Sequence, residues 1–142
     1  MKIQRTVETT AAPEAVFAYL SDFTTTNEWD PGTAETTRVQ GDGGKGTTYH
    51  NVSQFAGRKT ELTYEVLERT PDTRFSLRGE NKTLVAHDTM ELTPQGFGTS
   101  VTYTADFAFK GITKYVAPLL APAFKKLGDE AEKGLREALA KL

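Results

Sequence analysis

From Ile112 to Leu142 the apolar residues Ile112, Val116, Leu119, Leu120, Ala123, Leu127, Ala131, Leu135, Ala138 and Leu142 recur every three or four positions. That spacing places them on one stripe of a long helix, and no other stretch of the chain keeps this period for so long. The opposite face carries Lys125, Lys126, Asp129, Glu130, Glu132, Lys133, Arg136, Glu137 and Lys141. One side is wet and the other requires an apolar partner. Burying ten such side chains contributes on the order of 10 to 20 kcal/mol before entropy, as an upper bound. The partner must be correspondingly large.

Pro118 suits a first helical turn, whereas Pro122 removes a backbone donor and crowds the preceding carbonyl, which predicts a kink or a second helical start. Gly128 and Gly134 each cost about 1 kcal/mol relative to alanine inside a helix. Either they let another element approach closely or they leave room beside the helix. Close packing is the preferred of the two.

The partner comes from the middle of the chain. Ile3, Arg5, Val7 and Thr9 alternate with Lys2, Gln4, Thr6 and Glu8, the pattern of a first strand. Pro13 and Glu14 open a short helix with Val16, Phe17, Leu20 and Phe23 on its apolar face. A second helical turn follows between Asp22 and Asn27, and Trp29-Asp30-Pro31-Gly32 forces an irregular exit. From Thr33 to Lys110 the period is two. The runs Glu35–Gln40, Thr47–Phe55, Arg58–Arg69, Thr73–Glu80, Thr83–Thr93 and Thr99–Lys110 are separated by turn residues at 41–46, 56–57, 71–72, 80–81 and 94–98. Six consecutive strands with short connections make an antiparallel meander with one dry face. With the first strand, the expectation is a single α+β domain over residues 1–142: a seven-stranded antiparallel sheet packed on the long helix, with no linker or repeat.

Composition narrows the partners. The chain has 37% hydrophobic and 25% charged residues, as ordinary folded chains do. Its 17 Lys and Arg against 19 Asp and Glu form no basic stripe, which argues against nucleic acid. There is no cysteine, so disulfides, thiolate nucleophiles and cysteine metal sites are excluded. Lys2, Arg5 and Glu8 fall within an opening that does not read as a signal peptide, and the run Val116–Phe124 is too short to span a bilayer. The expectation is a cytoplasmic protein without cofactor, metal or integral membrane segment, either monomer or homodimer.

The order strand, two short helices, six antiparallel strands and long terminal helix resembles the START-like superfamily with its helix-grip fold. Within it the chain is most similar to the polyketide cyclase/dehydrase branch, also called SRPBCC. The residues that carry the resemblance are Ala12-Pro13-Glu14 with Val16-Phe17, Leu20, Asp22, Trp29 and Pro31, then Gly46-Thr47, Gly98-Thr99 and the helix opening Pro118–Leu127. The resemblance implies a curved sheet wrapped round the terminal helix, with a cavity between them for an apolar ligand. Similar proteins range from lipid, sterol and quinone carriers to cyclases of aromatic polyketides, so it implies more about fold than about function.

Several residues are candidates within such a space. Asp88 shares parity with Leu84, Ala86, Met90 and Leu92 on the dry face, where desolvation would raise its pKa and suit it to acid, base or anchoring work. Alternatively a bulge flips the parity, or Asp88 sits at a wet mouth; the readings stand level. Tyr64 and Tyr103 face inward, as do Tyr49, Asn51 and Ser53 if their strand is regular. Such groups either orient a ligand or satisfy core hydrogen bonds. Trp29, Phe107, Phe109, Phe124 and Leu127 supply apolar wall or plain core. His50 and His87 fall on the outward parity, which makes them surface residues rather than a catalytic or metal pair. The loop Gly41–Thr47 is rich in glycine, but it joins two strands and lacks the spacing and following helix of a phosphate loop, so a hairpin turn is preferred.

The leading expectation is a binder of a hydrophobic small molecule, a lipid, isoprenoid or polyketide. The alternative is a cyclase or dehydratase that uses Asp88 and nearby tyrosines. A third, an interaction module, requires side chains to fill the space between sheet and helix.

Overall fold

A computed structural model describes residues 1–142. Strand β1 (Lys2–Thr9) leads to α1 (Pro13–Leu20), a 3-10 turn (Phe23–Thr25) and α2 (Thr26–Trp29). Six strands follow: β2 (Thr33–Gln40), β3 (Thr48–Phe55), β4 (Arg58–Thr70), β5 (Arg74–Glu80), β6 (Leu84–Gln95) and β7 (Gly98–Phe109). The chain ends in α3 (Thr113–Val116), a second 3-10 turn (Ala117–Leu120) and α4 (Ala121–Leu139). Each expected strand is present with ends within two residues.

The strands form one antiparallel seven-stranded sheet in the order β1-β7-β6-β5-β4-β3-β2. The sheet is curved around α4, so the architecture is that of a helix-grip fold. Alternation sets its faces. Leu62, Tyr64 and Val66 of β4 are buried while Glu61, Thr63 and Glu65 are exposed, and Ala86, Asp88, Met90 and Leu92 of β6 are buried beside exposed His87 and Glu91. The β3–β4 hairpin closes on two residues, Ala56 (φ +52°) and Gly57 (φ +77°), both left-handed as a turn matched to strand twist requires. The Gly41–Thr47 stretch is a hairpin loop whose donors are used internally: Gly43 N–H donates to Thr47 Oγ1 and Gly44 N–H to Asp42 Oδ1.

The terminal helix departs from the expected single stripe. Pro118 lies in the 3-10 turn and Pro122 in the first turn of α4, where a missing donor costs nothing, so the helix starts a second time. The break changes the phase. Ile112 (80% exposed), Leu119 (76%), Val116 (47%) and Leu142 (48%) do not join the buried face. In α4 that face is Phe124, Gly128, Ala131, Leu135 and Leu139.

Both glycines of α4 meet neighbours. A Cβ on Gly134 would lie 1.9 Å from the Trp29 carbonyl oxygen. One on Gly128 would lie 2.7 Å from the Arg5 guanidinium and from Ile3. Arg5 shares the inward face of β1 with Ile3 and Val7, and its guanidinium reaches Asp129 (3.0 Å) and Glu132 (3.6 Å), tying α4 to the sheet edge.

The core is divided. A dense cluster at one end joins Val16, Phe17 and Leu20 of α1, Phe23, Trp29, the inward faces of β4 to β7, and Leu135 and Leu139. At the other end Ile3, Ala105 and Phe124 form a small cluster ringed by partly exposed Phe55, Phe107, Phe109, Leu120 and Leu127. No helix is long and apolar enough to cross a membrane.

Candidate functional site

The looser end of the core encloses a cavity of about 560 Å³ between the concave sheet and α4. Of its 29 lining residues 17 are hydrophobic, so its wall is mainly apolar. Phe124 projects from α4 into the aromatic part of that wall, with ring centroids 4.6 Å from Phe55, 5.1 Å from Phe107 and 5.7 Å from Phe109. The 55–58 hairpin tip, the start of β6 and the 113–120 segment contribute Ala56, Arg58, Thr83, Thr113, Val116 and Leu120. The space is open, which does not meet the condition set for an interaction module without a pocket.

Asp88 faces this cavity. Register is continuous from β5 through β6 to β7, so no bulge turns it outward. It is 9% exposed, and its Oδ1 has no hydrogen-bond partner. Burial, and then the charge of Asp30, push its carboxyl up to about 7, while the nearby Tyr103 hydroxyl works the other way. Tyr103 lies on the same face because it pairs with Met90, two residues along β6 from Asp88. Its ring packs edge-on to Trp29 at 5.6 Å.

Tyr64 reaches the cavity from β4. Its partner across β5 is Gly79, and a Cβ there would lie 2.7 Å from the Tyr64 ring, so the ring occupies space that only glycine leaves. Burial, followed by the charges of Asp88 and Asp30, holds the Tyr64 and Tyr103 hydroxyls well above the ordinary phenol range. Both are neutral donors at any physiological pH.

Asp30 was not among the residues singled out by alternation, yet it lines the cavity, and its charge raises the pKa values of Asp88, Tyr64 and Tyr103. Its oxygens accept from Gly32 N–H (3.0 Å) and Thr33 Oγ1 (3.1 Å). Burial raises its pKa, those two donors oppose the rise, and Glu130 of α4 adds to it. Its signal was turn chemistry alone, the Asp-Pro-Gly that closes α2.

Of the nine residues expected to contact a ligand, Trp29, Asn51, Tyr64, Asp88, Tyr103, Phe107, Phe124 and Leu127 line the cavity. Tyr49 does not. Its inward parity is as expected, but it lies toward the filled end of β3, 1% exposed and edge-on to Phe23 at 5.4 Å. Asn51 is engaged within the fold, since its Nδ2 donates to Thr36 Oγ1 and its Oδ1 accepts from Ser53 Oγ. Phe55, Leu62, Leu84 and Ala105 complete the wall. His50 and His87 lie outside it; His50 faces Glu61 at 3.9 Å on the outer surface.

Comparison with solved structures shows the same fold at low identity. The Zhui aromatase/cyclase from Streptomyces sp. R1128 superposes with a TM-score of 0.82 at 13% identity, covering 98% of this chain and 93% of its own. TTHA0849 from Thermus thermophilus gives 0.80 at 18% identity, covering 98% and 97%. A START superfamily protein from Mycobacterium smegmatis gives 0.77 at 14% identity, covering 97% and 96%. None of the curated proteins matches the chain. The family model described as polyketide cyclase / dehydrase and lipid transport matches residues 1–142, and the chain belongs to that family.

Proposed function

We propose that this chain, acting as one START-like domain, binds a hydrophobic small molecule of the lipid, isoprenoid or polyketide kind between the sheet and α4. The observation that carries this is the cavity of about 560 Å³ with a mainly apolar wall. At about 24 cal/mol per Å³, leaving that much space dry and empty would cost on the order of 13 kcal/mol, as much as a whole domain's stability. Filling that space, by water or by a ligand, removes most of this cost. Water would find few partners along Phe107, Phe124 and Leu127, whereas an apolar ligand would gain contact with each.

The experiment is native mass spectrometry of the freshly purified protein, followed by solvent extraction of whatever it retains. An apolar molecule of defined mass on the native chain, reduced or absent in an Ala131→Phe variant whose larger side chain intrudes into the cavity, supports the reading. Equal retention by that variant would place the molecule elsewhere.

One observation favours a second reading, in which the same cavity performs acid and base steps on a polyketide-like substrate. Asp88 has an unpartnered oxygen and a carboxyl raised to about 7, a value at which it exchanges protons readily near neutral pH. Tyr103 and Tyr64 are neutral donors close by. If this reading holds, Asp88→Asn lowers turnover of a candidate substrate by about 100-fold or more; unchanged turnover removes it.

A further inference from the structure

We propose that the molecule held in this cavity is a hydrophobic amine, its ammonium group seated between Asp88 and Asp30 and its apolar body lying along Phe107, Phe124 and Leu127. The inference rests on the binding reading above and adds the chemistry of the ligand's polar end.

The lining residues include three that carry charge: Asp30, Asp88 and Arg58. Arg58 is exposed at the tip of the β3–β4 hairpin. The interior therefore holds two carboxyl groups and no base. Asp30 has two donors of its own, but Asp88 Oδ1 is buried with none. A buried acceptor without a donor costs about 1 to 3 kcal/mol, and more when it is charged. The groups facing Asp88 are Asp30, Tyr64 and Tyr103, and Glu130 of α4 faces Asp30. None is a cation.

An ammonium group supplies what is missing. It carries three donors and a positive charge, so it can satisfy Asp88 Oδ1 and offset both carboxylates. A hydroxyl offers one donor and no charge. A carboxylate would bring a third negative group to a site that already holds two.

The test uses decylamine, decanol and decanoate, below micelle-forming concentrations, to displace a neutral solvatochromic dye from the intact chain at pH 8 and pH 6. At pH 8 decylamine is expected to bind about tenfold tighter than decanol, with decanoate weakest. At pH 6 decylamine must release the Asp88 proton, so its affinity falls about tenfold while that of decanol holds. Asp88→Asn is expected to lose the tenfold preference for decylamine over decanol at pH 8 and the change in that preference between pH 8 and pH 6. Decanol or decanoate displacing the dye as well as decylamine does at pH 8 would overturn the inference and leave the cavity reading standing. An amine preference that survives in Asp88→Asn would overturn the assignment to Asp88. Failure of both the dye and all three compounds to bind would overturn the inference together with the reading beneath it.

Discussion

The carbonyl oxygen of Trp29 occupies the place where a side chain on Gly134 would stand, 1.9 Å from an ideal Cβ. The contact joins α4 to the end of α2, and backbone on both sides leaves little freedom to yield. Alanine at an unconstrained helix site would stabilise by about 1 kcal/mol. Here Gly134→Ala is expected to destabilise by about 2 kcal/mol or more, read from the urea midpoint. Gly128→Ala meets only the ends of the Arg5 and Ile3 side chains, which can shift, so its loss is smaller. Equal effects would contradict this account.

The β3–β4 turn offers a gain. Ala56 holds φ at +52°, a conformation that costs a non-glycine residue about 1 to 2 kcal/mol and that asparagine tolerates better. Ala56→Asn, which writes Asn-Gly into a two-residue hairpin, should raise stability by about 0.5 to 1 kcal/mol in denaturant unfolding.

Asp88 makes stability depend on pH. Its carboxyl titrates near 7 in the folded chain and near 3.8 when free, so between those values the folded state binds more protons than the unfolded one. Its contribution to stability is therefore greatest below pH 4 and declines as pH rises to 7, by on the order of 4 kcal/mol. Asp88→Asn should flatten that part of the pH–stability curve and leave a more stable protein at pH 8. A curve unchanged by the substitution would mean that Asp88 is not desolvated.

The two ends of the core should answer differently to the same deletion. Leu135 is fully buried in the dense cluster, and Leu135→Ala is expected to cost about 3 to 4 kcal/mol. Leu127 is only partly buried and already faces open space, so Leu127→Ala should cost about 1 kcal/mol. Chemical denaturation of both variants without added ligand compares them directly.

Alternation made most of this legible in sequence. A period of two is a local property of each strand, so the faces of β4, β6 and β7 follow from residues such as Leu62, Asp88 and Tyr103. The helix stripe failed at Ile112, Val116 and Leu119 because Pro118 and Pro122 reset its phase, and period counting does not sense a reset. Tyr49 shows a different limit. Parity gives the face a residue occupies but not its distance along the strand, and Tyr49 lies toward the filled end. Asp30 has no periodic neighbours, so only the folded turn brings it to Asp88.

The uneven core has a consequence for how long the folded chain survives. One end is filled by its own side chains, while the other keeps an open cavity. An occupant present at one hundred times its Kd would add about 2.7 kcal/mol to folding, roughly a hundredfold fewer unfolded molecules. Resistance to proteolysis would then rise and fall with supply of that molecule, making the protein's abundance a gauge of it.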